Sequence, residues 1–233
     1  MDQATEKREY TSVQAGAAVI LPFEKRGEYY IEPLGRIEDK LVYSFIKRLF
    51  DVTASAVALV VLCIPMLIIG AVVSATSEGG PLFSQERLGK DGKPFRMTKF
   101  RTMRKDAEKD GAQWSRGDDD TRITKVGSFL RKVRLDELPQ LWCILKGDMS
   151  FVGPRPERQV FYDEFETYIH GFRERLKVKP GLTGLAQING GYFLRPEEKV
   201  LFDVEYIKNR SLWLDVKILV KTVRVVFTAD GAE

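Results

Sequence analysis

From Val52 to Val73 the chain reads VTASAVALVVLCIPMLIIGAVV, 22 residues without a charge, preceded by Lys47-Arg48. As one straight helix this run would reach roughly 33 Å, enough to cross a bilayer core of about 30 Å. A helix in the core of a water-soluble domain rarely runs so long without a charge on any face. Two features argue against a plain span. Pro65 sits mid-run, where it removes a backbone hydrogen bond and kinks the helix. Basic residues flank both ends, so the positive-inside rule assigns no direction. A broken helix that dips into one leaflet and returns keeps both flanks on the cytoplasmic side. The run begins fifty residues in and no small-residue cleavage site follows it, so it does not read as a signal peptide.

The rest of the chain is therefore expected to be a domain at a membrane surface, with a spanning helix or a buried core helix as the other readings of the run. Its 233 residues, 44 % hydrophobic and 30 % charged, suffice for a core and are unlike a disordered chain. Two cysteines, one inside the apolar run, do not make a disulfide scaffold and fit a reducing compartment. The single histidine, His170, excludes most His-based metal sites and any His–His acid/base pair. Any catalysis rests on carboxylates, Lys, Arg or a carboxylate-bound metal.

Charge is uneven along the chain. Residues 1–46 carry 8 acidic and 6 basic side chains, whereas Gln85–Lys105 carry 8 basic and 2 acidic ones. A basic cluster beside an apolar run suits anionic headgroups or phosphates, and equally a solvated basic face. Lys90-Asp91-Gly92-Lys93 lies between two strand-like segments and predicts a hairpin over Pro81–Met103. Asp106–Asp120 reads as a polar loop. Its Asp118-Asp119-Asp120 run suits a solvated acidic loop better than a metal site.

Thr124–Val133 has a weak helical pattern. After it, Leu138, Leu141, Trp142 and Leu145 fall at helical spacing, with Gly147 as the stop. Asp136 then takes the N-cap position and Glu137 the first turn. A capping pair at the positive end of the helix accounts for both. Three neighbours point elsewhere: Arg131, Lys132 and Arg134 just upstream, the free N–H groups of a helix start, and Arg155 clamped in Gly153-Pro-Arg-Pro156. Two carboxylates among cations, with a stiffened guanidinium nearby, are what phosphoryl transfer needs. Further on, Glu157–Arg175 reads as a charged helix carrying His170, and Pro180–Gly184 and Asn189–Gly191 as turns. Arg195–Arg210 reads as a helix with Asp203 and Tyr206 on one face. Ser211–Phe227 reads as an amphipathic helix suited to a membrane interface or to the protein's own core.

Six segments in order, Lys47-Arg48-Leu-Phe-Asp51, Lys99-Phe-Arg-Thr-Met103, Leu135-Asp-Glu-Leu-Pro-Gln140, Val152-Gly-Pro-Arg-Pro156, Pro180-Gly-Leu-Thr-Gly184 and Asp203-Val-Glu-Tyr206, resemble the bacterial sugar transferases. These are the monotopic phosphoglycosyl transferases, or polyprenyl-phosphate hexose-1-phosphate transferases. The likeness covers roughly residues 45–229. It implies transfer of a sugar-1-phosphate from a UDP-sugar to undecaprenyl phosphate, with release of UMP, through a covalent aspartyl-phosphosugar, as an early membrane step of surface glycan assembly.

By position, the resemblance makes Asp136 the nucleophile and Glu137 its Mg²⁺-binding partner. Lys99, Arg131 and Arg155 become phosphate-binding cations and Asp203 a further active-site carboxylate. Many members carry Trp where this chain has Leu185. The expected fold is α+β and mostly helical: a kinked re-entrant membrane helix, a small β-hairpin and amphipathic interfacial helices around a compact cytoplasmic catalytic domain. The expected division is an N-terminal extension without an assigned role (1–46), the membrane-inserted helix (47–77) and the catalytic domain (78–233). The expected place is the cell's inner membrane, with membrane lipids as partners and nucleic acid excluded; the sequence leaves the sugar and any homo-oligomer open. A non-catalytic membrane adaptor would use the same apolar run and basic cluster, but it leaves Asp136, Glu137 and Asp203 without a joint purpose.

Overall fold

A computed structural model describes residues 19–21, 23–38, 40–109, 111–114 and 120–228. The chain is mostly helical, with four small two-stranded sheets among the described residues. Two short strands, β1 (Val19–Ile20) and β2 (Tyr29–Tyr30), precede a long helix, α1 (Leu41–Val61), and its continuation α2 (Cys63–Thr76). The two helices meet at Leu62 with a 63° bend. The break falls three residues before Pro65. A proline damages the turn that precedes it, because it leaves the carbonyl four residues back without a donor and crowds it. Pro65 then sits harmlessly in the first turn of α2. No single helix among the described residues is long and apolar enough to cross a membrane, whereas the bent pair passes that test together.

The bent pair is inside out. On α1 the side chains that face the protein include Asp51 and Ser55, both buried, while Leu41, Val42, Phe45, Val57 and Val60 are each more than 60 % exposed. On α2, Ile64 and Leu67 are equally bare and Val73 is buried. Contiguous exposed apolar surface of this kind marks a site of association.

The expected hairpin is present: β3 (Leu82–Leu88) pairs antiparallel with β4 (Pro94–Phe100), and Asp91 turns the chain at φ 56°. Strand β5 (Ala112–Gln113) lies within the segment read as a loop and pairs with β1. Asp118 and Asp119 lie outside the described residues. Asp120 is buried and ion-paired with Arg122 at 2.5 Å, which serves the loop's own structure.

Helix α3 (Lys125–Lys132) is capped by Thr124, whose hydroxyl accepts from the Gly127 N–H. The following helix differs from its sequence reading. Leu135–Gln140 is a 3₁₀ turn, α4 spans only Leu141–Lys146, and Gly147 ends it at φ 97°. Of the expected stripe, Leu141 is buried and Leu138 packs on the same core, whereas Trp142 is 57 % exposed and Cys143 and Ile144 take the buried places beside Leu141.

The expected long helix over Glu157–Arg175 is also shorter. Only α5 (Gln159–Glu166) forms, because Ile169–His170 becomes a strand, β7, paired with β2 from far upstream. His170 stacks on Tyr30, a packing role at the surface. The expected turn at Pro180–Gly184 contains a strand, β8 (Gly181–Thr183), parallel to β6 (Ser150–Val152). A one-turn helix α6 (Leu185–Ile188) follows, then α7 (Pro196–Asn209) and α8 (Leu212–Thr228). Helix α8 combines both readings of its sequence: Ile218 is fully buried, while Trp213, Val216, Val220 and Val223 are exposed.

The main core packs α5, β7 and the start of α7 around Phe161, Tyr162, Phe165 and Phe172. A second core joins α1 to α4 through Leu59, Leu62, Leu141 and Ile144.

Candidate active site

The turn that carries Asp136 and Glu137 is entered through Arg134 in the left-handed region, φ 58°. Pro139 lies inside it and offers no N–H, which suits a tight 3₁₀ turn better than a full helical start. This overturns the expected N-cap: Arg134 holds that position, and no side chain caps the turn. Asp136 and Glu137 are nevertheless buried, at 5 % and 7 % exposure. Two carboxylates hidden from water without a capping role must be held by charge, and the surrounding residues supply it.

Arg155 donates from Nη2 to Glu137 Oε1 at 2.5 Å. Its loop is set by an unusually close backbone approach. Gly153 N–H donates to the Thr183 carbonyl and Gly181 N–H to the Pro154 carbonyl, both at 2.9 Å. A Cβ on Gly181 would lie 2.1 Å from the Gly153 nitrogen, and one on Gly153 would lie 2.4 Å from the Lys179 carbonyl oxygen. Only glycine fits at either place. The Gly-Pro-Arg-Pro and Pro-Gly-Leu-Thr-Gly segments are thus two halves of one support.

Asp203 belongs to that support. It pairs with Arg175 at 2.6 Å, each side chain at most 2 % exposed, and Arg175 also donates to the Arg155 carbonyl at 3.0 Å. The structure therefore sets Asp203 behind Arg155, reached through Arg175. Burial pushes the Asp203 carboxyl above its usual range by more than Arg175 pulls it down.

Electrostatics divides the two adjacent carboxylates. Burial, then the charge of Glu137, pushes Asp136 up to about 6, against the opposing pull of Lys99, Arg131 and Arg155. Burial also acts to raise Glu137, but Arg155, Arg134 and Lys99 outweigh it and hold Glu137 below the usual range. Lys99, on β4, is pushed down to about 8, first by burial and then by Arg131. Neighbouring groups with values driven apart are typical of reactive sites.

Lys99, Arg131, Arg134 and Arg155 also line a cavity of about 1000 Å³. Among the described residues its wall takes in twelve Lys and Arg side chains and two carboxylates, Glu108 and Glu157. The hairpin's basic residues are divided in use. All of Arg87, Lys99 and Arg101 line the cavity, but Arg87 is also paired with Glu157 at 2.9 Å and Arg101 also ties down the Gly79 and Gly80 carbonyls. Such a wall concentrates anions, above all di- and triphosphates.

No group of three or more His, Cys, Asp or Glu side chains able to hold a metal occurs among the described residues. Mg²⁺ does not need one: it commonly takes one or two carboxylates and completes its shell with substrate phosphates and water. Two adjacent buried carboxylates beside a polycationic cavity fit a metal that arrives with a phosphorylated substrate.

Sequence reasoning did not assign Lys47, Arg48 and Asp51 individual roles. Lys47 pairs with Asp215 of α8 at 2.7 Å. Arg48 donates to the Ile144 and Leu145 carbonyls at the end of α4, at 2.7 and 2.8 Å. Asp51 accepts from the Phe151 N–H and the Ser150 hydroxyl at 3.0 and 3.1 Å. These residues fasten α1 to the domain. Arg175 and Lys199 were also missed; both line the cavity, and burial pushes Lys199 down to about 8.

The model of the family described as bacterial sugar transferase matches residues 42–229. A UDP-N-acetylgalactosamine-undecaprenyl-phosphate N-acetylgalactosaminephosphotransferase of Aeromonas hydrophila is 43 % identical over 202 residues, covering 85 % of this chain and 48 % of that protein. A UDP-glucose:undecaprenyl-phosphate glucose-1-phosphate transferase of Klebsiella pneumoniae is 43 % identical over 182 residues, 76 % of this chain and 39 % of that one. An uncharacterized sugar transferase, EpsL, of Bacillus subtilis is 43 % identical over 188 residues, 81 % of this chain and 90 % of that one. The chain thus spans less than half the length of the first two and most of the third.

Proposed function

The chain belongs to the bacterial sugar transferase family, and we propose that it transfers a sugar-1-phosphate from a UDP-sugar to undecaprenyl phosphate at a membrane surface. The observation that carries this reading is the buried pair Asp136–Glu137, held by the same cations that line a cavity large enough for a nucleotide sugar. Relatives named for UDP-sugars and undecaprenyl phosphate support the substrate classes.

The chemistry follows from the charges. An Asp136 oxygen attacks the sugar-linked phosphorus of the donor, the bond from that phosphorus to the UMP oxygen breaks, and UMP leaves. The carboxylate is then an acyl phosphate carrying the sugar. A phosphate oxygen of the lipid acceptor attacks the same phosphorus, the aspartyl bond breaks, and Asp136 returns as a carboxylate. With a value near 6 it is mostly ionised at neutral pH yet more basic than an ordinary Asp, which suits a nucleophile. Lys99, Arg131 and Arg155 offset the repulsion between an anionic attacker and an anionic target. Glu137, kept ionised by Arg155 and Arg134, would hold Mg²⁺ with Asp136. When bound, the metal neutralises charge on the diphosphate oxygens.

The acceptor's hydrocarbon tail requires a site at the bilayer boundary. The exposed apolar faces of α1, α2 and α8 support a chain that enters one leaflet and returns, leaving the catalytic domain on the cytoplasmic side of the inner membrane. Cysteines introduced at positions 10 and 115, labelled in intact and permeabilised cells, test this topology: equal accessibility is expected, and opposite accessibility rejects it.

A panel of UDP-sugars with detergent-solubilised protein and undecaprenyl phosphate, read out as UMP release, tests the activity and identifies the sugar. Donor alone should leave a sugar-phosphate adduct on Asp136, visible by mass spectrometry of the intact chain. An adduct on another residue would reassign the nucleophile.

A further inference from the structure

The segment before α1 lies outside the family match, which begins at residue 42, yet it forms part of the cavity. Leu21 and Phe23 line the same wall as Trp114 and Phe193. Residues 19–21 and 23–38 run across the domain as a strap. Strand β1 pairs with β5 and so fixes the backbone that leads to Trp114. The Arg195 guanidinium covers one face of the Phe23 ring at 4.6 Å and donates to the Glu24 carbonyl at 2.6 Å. Lys25 pairs with Glu164, and the Leu34 N–H donates to Glu174. Leu21, Phe23 and Leu34 pack on the main core.

The cavity thus has two kinds of wall. At Lys99, Arg131, Arg134 and Arg155, the cations that act on Asp136 and Glu137, it is cationic and suited to phosphates. At the strap it is apolar and aromatic, with Phe23 and Trp114 in one cluster and each ring carrying a cation over it: Arg195 on Phe23, and Lys199 on Trp114 at 4.9 Å. Aromatic rings held in place by cations on one side suit a flat heterocycle on the other, as in base stacking on aromatic side chains. A hexose can also stack on an aromatic ring, but its hydroxyls then need hydrogen-bond partners, and the strap's own lining side chains, Leu21 and Phe23, supply none.

We infer that the strap, through Phe23 and Leu21 beside Trp114, completes the donor site by holding the pyrimidine nucleoside end of the UDP-sugar. This rests on the donor reading above and gives the N-terminal extension a part in substrate binding. Its residues bind and orient the donor without touching the reacting atoms.

The test is direct binding of UMP to the full-length chain in detergent, by calorimetry, with thermal unfolding as the control for folding. Phe23→Ala is expected to weaken UMP binding about fivefold or more. Phe23→Tyr, which keeps the ring, should bind UMP as the wild type does, and Leu21→Ala should show a smaller loss. In turnover, Phe23→Ala should raise KM for every UDP-sugar accepted by a similar factor, with kcat little changed. Unchanged UMP affinity in a folded Phe23→Ala protein overturns the inference alone. So does a changed ranking among UDP-sugars at constant UMP affinity, which would set the sugar against the strap. Absence of UMP binding by the wild type overturns both this inference and the donor reading.

Discussion

Glu137 and Arg155 stand 18 residues apart in the chain and 2.5 Å apart in space, joining the 3₁₀ turn to the proline-flanked loop. The contact sets both members: Arg155 keeps Glu137 ionised, and Glu137 fixes a guanidinium on the cavity wall. Removing one partner of such a pair leaves the other buried without compensation. Glu137→Gln is therefore expected to lower stability by about 2–3 kcal/mol, at the low end for buried pairs because Arg155 keeps 26 % side-chain exposure. It should also raise the Mg²⁺ concentration needed for half-maximal UMP release. An unchanged Mg²⁺ titration would remove Glu137 from the metal's shell.

Asp136→Asn is expected to stop turnover outright, a loss of roughly 10³-fold or more in UMP release, because an amide cannot serve as the nucleophile. The variant should melt close to the wild type and stay with the membrane fraction, since α1, α2 and α8 are untouched. Substantial UMP release by this protein would exclude Asp136 from the covalent step.

The pH dependence follows from two opposed values. Asp136, raised to about 6, must lose its proton to attack, so kcat/KM should climb through pH 6. Lys99, lowered to about 8, must keep its proton to attract phosphate, so the rate should fall through pH 8. The profile is a bell with limbs near those values, belonging to the interacting cluster as a whole. Lys99→Arg should flatten the alkaline limb, because a guanidinium stays charged throughout. Lys199 also titrates near 8 on the same wall; a limb lost only in Lys199→Arg would move the proton to that residue. Stability is the poorer readout. The raised Asp136 contributes stability below pH 4 that is lost as pH rises through 6, whereas the lowered Glu137 contributes stability above pH 4.5 that is lost on acidification. The two act against each other.

Gly181→Ala tests the backbone joint under Arg155. Its methyl would meet the Gly153 nitrogen at 2.1 Å, so the strands must part. The expected cost is about 2–4 kcal/mol, seen as a lower melting temperature, with a large loss of activity because Arg155 moves. A protein that melts and turns over normally would refute the close approach.

Much of this was legible in the residue pattern, and the misses share a cause. Asp91-Gly92 announced the hairpin, and the Pro65 interruption announced the bend, because both are local backbone effects. Asp136, Glu137 and Arg131 stood out because charged groups crowd a short stretch of sequence, and Arg155 because two prolines flank it; the structure brings the four together. Hidden were the features made by distant partners. Ile169–His170 is a strand because Tyr29–Tyr30 lies beside it, and no helical periodicity over Glu157–Arg175 could reveal that. Gly181–Thr183 looked like a turn because its glycines serve an approach to Gly153 instead. Asp203 was placed among the site carboxylates, while its contact with Arg175, which orients the loop of Arg155, depends on a fold that brings α7 beside that loop.

The grip of Arg48 on the last carbonyls of α4, and of Asp51 on β6, has a mechanical consequence. Helix α4 continues directly from the turn that bears Asp136, with no intervening linker. The turn of Asp136 and the apolar helix therefore move as one lever: whatever sets the tilt and height of α1 also sets the altitude of that carboxylate.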